Sequence, residues 1–212
     1  MSESLNHRYS DSEEKLNVIS HGLGLILSVI AAPFLILKSL NFDGFWQPIS
    51  LIIYSLSMIV LYAASTFYHA AKNPKRRRKL NILDHAAIYV LIAGSYSPFC
   101  LIGLNSSLGW YMFLFVWLFA FTGVILKLFF TGKFDKISTA MYLLMGWQVL
   151  FFIKPLMESL TISGFQFLIA GGVFYSIGAI LYSIKKMPYN HAIFHVFVLL
   201  GSLCHFISIY NL

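Results

Sequence analysis

Seven long apolar stretches, separated by short polar segments, follow one another along the whole chain. Each has about 20 residues or more, the length that an α-helix needs to cross the hydrocarbon core of a bilayer. They are far longer than the strands of a transmembrane β-barrel, which alternate over about ten residues. The sequence therefore predicts an all-α membrane protein, a seven-transmembrane helix bundle. The predicted spans are residues 18–40, 47–71, 82–104, 108–130, 138–157, 164–184 and 190–210.

Little of the chain lies outside these spans. We expect residues 1–17 to form a short cytoplasmic tail and residues 18–212 to form a single seven-helix domain. The tail is acidic just before the first apolar stretch, where a signal peptide would be basic, so we expect that stretch to be retained as a span. The fifth span is the least regular, because Lys154 and Pro155 lie near its end.

The distribution of basic residues predicts the orientation of the bundle. Of the 15 Lys and Arg residues, all but Lys38 and Lys154 lie in the tail or beside the loops that follow even-numbered spans. By the positive-inside rule, these parts and the N-terminus are cytoplasmic, and the C-terminus is outside. The densest basic run, residues 75–79, is expected to be a solvated loop.

Composition agrees with a membrane protein and narrows the range of partners. The chain is 58% hydrophobic and only 11% charged, with a formal net charge of +7. Basic residues in short loops beside a bilayer are explained by orientation and by contact with anionic lipid. We therefore expect membrane lipids as partners and no nucleic acid.

A group of polar residues recurs at one depth, near the predicted cytoplasmic ends of three spans. Ser65 and His69 lie in span two, Asp84 opens span three, and His191 and His195 open span seven. Residues four apart share one face of a helix, so the two span-seven histidines can address one point. With a histidine from another helix they make the three-nitrogen set of a catalytic zinc, which leaves the fourth position to water. The aspartate and the serine would then orient that water or a ligand imidazole.

Other interpretations of these histidines stay open on spacing alone. A histidine within a membrane is often simply hydrogen-bonded inside the bundle, and two histidines can also hold a haem. Glu14, Asn17 and His21 share a face of the first helix that can pack against the polar group. His21 and His85 are expected at the interface near headgroups, and the sequence assigns no function to them or to His205.

Several blocks of the chain resemble the bacterial hemolysin III family, a branch of the progestin and adipoQ receptor superfamily. The resemblance implies a multi-pass protein of the bacterial inner (plasma) membrane with Zn²⁺ near the cytoplasmic face. It implies His69, His191 and His195 as the zinc ligands, with Asp84 and Ser65 beside the zinc-bound water. The blocks are YSDSEEKLNVISHGLG, ASTFYHA, LDHAAIYVLIAGSYSPF, YLLMGW, GGVFYSIG, MPYNHAIFH and GSLCHFISIY.

Three functions follow as hypotheses. The superfamily includes alkaline ceramidases, so the resemblance implies a zinc-dependent hydrolase of membrane lipid amides, with the lipid entering between helices. In that enzyme Asp84 would be the general base or the orienter of the water. The alternatives are a non-enzymatic regulator or receptor of membrane state with structural zinc, and a channel-like or cytolytic protein as the family name suggests.

Overall fold

The computed structural model describes residues 9–212, apart from the side chain of residue 135. The described residues form seven helices that are long and apolar enough to cross a membrane, which confirms the predicted fold class. The third crossing is α3 with a π-helical continuation, Phe99–Leu104, and the fifth joins α5 and α6 through a 3₁₀ segment, Trp147–Phe152. The α-helices are α1 (Asp11–Ser39), α2 (Trp46–Ala70), α3 (Pro74–Pro98), α4 (Ser107–Phe130), α5 (Asp135–Gly146), α6 (Ile153–Ser159), α7 (Ile162–Ser183) and α8 (Asn190–Tyr210).

Helices α1 and α3 begin before the apolar stretches that predicted them, because polar residues cap their first turns. The Ser10 hydroxyl accepts a hydrogen bond from the backbone N–H of Glu13, and the Asn73 side chain accepts one from Arg76. Such caps satisfy N–H groups that have no partner inside the helix. The last part of the predicted tail is therefore helical. The basic run 75–79 is helical as well, so the expectation of a loop there was wrong.

The fifth crossing is interrupted where the sequence is least regular. Helix α5 ends at Gly146 and α6 starts at Ile153, which places Pro155 in the first turn of α6. Proline is tolerated there, since the first-turn N–H groups have no partner inside the helix. The Tyr96 hydroxyl of α3 bonds the interrupted backbone: it donates to the Gly146 carbonyl at 2.6 Å and accepts from the Val149 N–H at 2.9 Å.

The outside of the bundle is apolar and much of its inside is polar or aromatic. Phe151 and Ile162 are 87% and 82% exposed, as expected for side chains that face lipid. Tyr54, Tyr62 and Tyr89 are among the largest side chains that are almost completely buried. Both cysteines are free and buried. Lipid rather than water is the solvent that this surface requires.

The helices form a ring around an internal cavity. Helix α1 packs against α2 and α8, α3 packs against α2 and α4, and α5 contacts both α3 and α7. Helix α7 packs against α8, and this contact closes the ring. Helix α4 is not needed for the closure and packs against α3. The starts of α1, α3 and α8 and the end of α2 meet at one end of the bundle, which we call the histidine end.

Candidate metal centre

Three histidines meet at the histidine end of the bundle. His69 lies in the last turn of α2, whereas His191 and His195 lie on one face of the first turns of α8. All three are buried, and each offers a ring nitrogen within 4.8 Å of those of the other two. The Nε2 atoms of His69 and His191 are 3.1 Å apart. The predicted convergence of these three side chains is confirmed.

The other ring nitrogen of each histidine has a partner on or just before α1. Nδ1 of His69 lies 2.7 Å from the Glu14 carboxylate, and Nδ1 of His195 lies 3.3 Å from the Ser20 hydroxyl. Nδ1 of His191 lies 3.1 Å from the Tyr9 hydroxyl. Burial raises the pKa of the Tyr9 phenol, so this group stays neutral. Because each Nδ1 is already engaged, Nε2 is the nitrogen that each ring has available for a metal.

This donor set fits zinc. Nitrogens that share a tetrahedral zinc at about 2.0–2.1 Å lie about 3.3 Å apart, close to the 3.1 Å between Nε2 of His69 and Nε2 of His191. Metal-ligating histidines usually donate their second N–H to a carboxylate, a carbonyl or water, and His69 meets a carboxylate in this way. The three imidazoles can therefore hold a zinc ion through Nε2.

Glu14 is held in turn by a residue of the basic run. One carboxylate oxygen faces His69, and the other accepts a hydrogen bond from Arg77. Arg77 also donates to the carbonyl of Tyr68 at 3.2 Å, and its guanidinium lies 4.5 Å from the centre of the Tyr68 ring. Glu14 thus connects the histidine to a cation on α3.

The position of α8 depends on polar contacts at its first turn. The Asn190 side chain donates to the Tyr182 carbonyl of α7 at 2.9 Å. The Glu13 carboxylate accepts from the backbone N–H of His191 at 3.3 Å, which satisfies one of the unpaired N–H groups of a helix start. These contacts fix the helix turn from which His191 and His195 project.

The predicted aspartate and serine occupy different surroundings. Asp84 is buried and lines a cavity of about 150 Å³ together with His191 and His195. Ser65 lies one turn before His69 and is fully buried, and its hydroxyl has no hydrogen-bond partner among the described residues. A buried hydroxyl of this kind is suited to bond a group held by the neighbouring histidines. The structure thus brings both residues to the histidine end, as predicted.

The cavity extends from the histidine end deep into the bundle, and its lining is mostly apolar. Leu91 of α3, Phe99 of the π-helical segment, Leu168 of α7 and Val198 of α8 contribute to it, and His205 lines it too. Residue 205 is ten positions beyond His195, which corresponds to about 15 Å along a helix. The cavity is thus a deep, mostly apolar space with polar groups at the histidine end.

One of the remaining histidines, His21, is more buried than the expected position near headgroups would leave it. His21 is buried, and its ring stacks on that of His195 with centroids 3.4 Å apart. His85 lines the cavity near Asp84, as does the buried Lys127. The prediction that α1 presents a polar face to the site is confirmed, since Glu14, Asn17 and His21 all contact one of the three histidines.

Four residues of this region were missed by the sequence reasoning. Tyr9 and Ser20 contact Nδ1 atoms of the site, and Arg77 and Lys127 are basic residues that turn inward. The sequence carried a weak signal for Lys127 alone, because it lies inside the apolar stretch of span four. The contacts of the other three follow from how helices pair, which no local pattern shows.

Comparison with known proteins agrees with this architecture. Residues 9–206 match the family described as Haemolysin-III related. The chain is 45% identical over 197 residues to Hemolysin-3 of Bacillus cereus, covering 93% of this chain and 90% of that protein. It is 43% identical to the Hemolysin-3 homolog of Bacillus subtilis over 95% of this chain and 94% of that one. It is 26% identical to the human monocyte to macrophage differentiation factor, covering 97% of this chain and 87% of that protein.

A seven-helix membrane bundle with a buried three-histidine cluster is thus the class of protein that the fold and the site define. Within that class, the chain belongs to the haemolysin-III-related family. It is a multi-pass protein of the bacterial cell membrane. The more distant macrophage relative agrees with membership of the wider adipoQ-receptor-like group.

Proposed function

We propose that this protein is a zinc-dependent hydrolase of membrane lipid amides. The observation that carries the proposal is the convergence of three buried imidazoles, two of which, His191 and His195, lie on the wall of an apolar cavity that also holds the carboxylate of Asp84. The resemblance to a superfamily that includes alkaline ceramidases supports an amide as the scissile bond. We further propose, from the positive-inside rule, that the histidine end is cytoplasmic.

The ligands proposed for the zinc are His69, His191 and His195. When bound, zinc would lower the pKa of a water molecule to about 7 and polarise a carbonyl group. Among the described residues, three histidines form the cluster that can hold the metal, and a catalytic zinc site of this type keeps its fourth position for water or substrate.

Asp84 is proposed to accept a proton from the attacking water and to orient it. It lines the cavity beside two of the proposed ligands, so it meets a substrate that enters from the apolar side. Ser65 is proposed to donate a supporting hydrogen bond, since its buried hydroxyl has no partner among the described residues. Neither role requires the two side chains to bind the metal.

The cavity lining favours a lipid over an ion. Apolar side chains dominate the wall between the histidine end and His205, and an acyl chain can lie against them without losing hydrogen bonds. An ion would have to shed its water there at a large cost in free energy. The name Hemolysin-3 of the Bacillus relatives refers to cell lysis, which would suit a channel-like or cytolytic protein. Because an ion path through this lining is costly, we place that function second to lipid hydrolysis.

A regulatory role with structural zinc is the other alternative, because the three histidines would join α2 to α8. The two roles are separated by hydrolysis of a ceramide by the purified protein in lipid nanodiscs, read as release of free fatty acid. We expect the wild type to release fatty acid and Asp84→Asn to release none, while zinc stays bound. Asp43→Asn is the matched control, because Asp43 is an exposed residue between α1 and α2. A fully loaded wild type with no activity on ceramides or other lipid amides would refute the hydrolase.

A further inference from the structure

The Glu14 carboxylate lies beside Nδ1 of His69, one of the three proposed zinc ligands. We infer that Glu14, fixed by Arg77, is a positioning residue that selects the tautomer and ring orientation in which His69 binds zinc. This rests on the proposed zinc site. It assigns to the first turn of α1 and to the basic run of α3 a function in metal binding.

The geometry of Glu14 is that of a carboxylate that orients an imidazole. Its Oε2 atom lies 2.7 Å from Nδ1 of His69, and the two side chains are 8% and 0% exposed. An ionised carboxylate only accepts hydrogen bonds, and its contact with Nδ1 is shorter than the 3.3 Å contact of the Asn17 amide with the same atom, so we take Nδ1 to carry the proton and to donate it to Glu14. Nε2 is then left with its lone pair, and this is the atom that faces His191.

Arg77 makes this arrangement the favoured one. It donates to Oε1 of Glu14, so the carboxylate is not a solitary buried charge, and a buried charge without a partner is strongly unfavourable. Arg77 is only 15% exposed, whereas the other four residues of the run 75–79 are exposed. Its second contact, to the carbonyl of Tyr68, ties it to the residue before the ligand.

A glutamine at position 14 would reverse the bonding pattern. Arginine has donors only, so the amide oxygen of the glutamine would turn to Arg77. Its NH₂ group would then face Nδ1 of His69, which would have to accept, and the proton would move to Nε2. A protonated Nε2 has no lone pair for zinc. The substitution therefore changes which ring nitrogen can bind, with almost no change in side-chain volume.

Glu13 provides a matched control on the same turn. It is buried to a similar degree as Glu14, but its carboxylate accepts from the backbone N–H of His191 and not from an imidazole. The glutamine oxygen at position 13 can still accept that bond. Glu13→Gln therefore removes one buried acidic charge from the same turn without reversing the proton on a ligand ring.

The test is zinc affinity, measured by competition with a chromophoric chelator on the purified full chain. We expect Glu14→Gln to weaken zinc binding by about 10- to 100-fold, the usual effect of losing a group that orients a metal ligand. Glu13→Gln, whose amide oxygen can still accept from the His191 N–H, should weaken zinc binding much less than Glu14→Gln does. Glu14→Asp, which keeps the charge, should recover part of the loss. The visible spectrum of the Co²⁺-loaded protein should change more for Glu14→Gln than for Glu13→Gln, because only the first substitution alters the hydrogen bond of a ligand ring.

The outcomes separate this inference from the zinc site on which it rests. Wild-type protein without zinc binding would overturn both. Zinc binding that is lost in His69→Ala and unchanged in Glu14→Gln would overturn the positioning role alone. Equal losses of metal-free thermal stability and zinc affinity in Glu14→Gln and Glu14→Asp would show a purely structural ion pair, which also contradicts the inference.

Discussion

Replacing Tyr96 with phenylalanine removes a single oxygen atom from the point where the fifth crossing is interrupted. That oxygen donates to the Gly146 carbonyl and accepts from the Val149 N–H. Lipid tails offer no hydrogen-bonding group, so after the substitution neither backbone group can regain a partner from the lipid. The variant therefore tests whether a side chain of α3 holds the broken helix together.

The expected loss of stability follows from these two hydrogen bonds. A buried polar group left without its partner costs about 1–3 kcal/mol, whereas polar contacts between membrane helices average only about 0.6 kcal/mol. Two bonds thus give a loss of about 1–6 kcal/mol, and we expect about 2 kcal/mol, near the lower end that is typical of membrane helices. For a protein of this size such a loss lowers Tm by roughly 4–8 °C.

Thermal unfolding in detergent can be followed with a thiol-reactive dye, since Cys100 and Cys204 are free and buried until the bundle opens. Tyr89→Phe is the matched control. It is the same change on the same helix, but among the described residues the Tyr89 hydroxyl bonds just the thioether sulfur of Met141, at 3.8 Å, a weak acceptor. Equal Tm values for the two variants would refute the assignment of the Tyr96 hydroxyl to the helix break.

Three further predictions concern orientation, helix packing and metal binding. Alkaline phosphatase, a reporter that is active only outside the cytoplasm, should be active when it is fused after Leu212. If only a cytoplasmic reporter is active at that position, the predicted orientation is wrong. Gly24→Ala should cost about 1–3 kcal/mol by overpacking, because a Cβ there would lie 2.5 Å from the Tyr62 ring and 2.8 Å from Leu199. Gly22→Ala, whose Cβ would meet only Thr66 at 3.8 Å, should show a much smaller loss in the same melting assay. Removal of zinc with a chelator should lower Tm, since free zinc at 1,000 times Kd stabilises the folded state by about 4 kcal/mol; an unchanged Tm would contradict this.

The fold could be predicted from the sequence because the membrane imposes a simple rule on it. Every span needs about 20 apolar residues, so seven apolar stretches predicted seven crossings, as the described residues have. The helix ends were less certain, because the capped polar turns at Ser10 and Asn73 carry no hydropathy signal. The irregular end of span five was visible in Lys154 and Pro155. The position of the break was not, since it depends on Tyr96 of another helix.

The candidate site was partly predictable for a similar reason. The i, i+4 spacing of His191 and His195, and their depth shared with His69, follow from helix geometry alone. The bonds of Glu14 and Arg77 depend on how α1, α2 and α3 meet, which the sequence pattern does not encode. Arg77 was further hidden because it lies among four exposed basic residues that have the composition of a loop.

The central claim is that His69, His191 and His195 bind one zinc ion, and metal analysis of the purified protein tests it most directly. Wild type and the three single alanine variants should be loaded with zinc, passed through a desalting column and measured by elemental analysis. We predict one zinc per chain for the wild type and a large loss of zinc in every variant. Stoichiometric zinc in all three variants, or no zinc in the loaded wild type, would contradict the account.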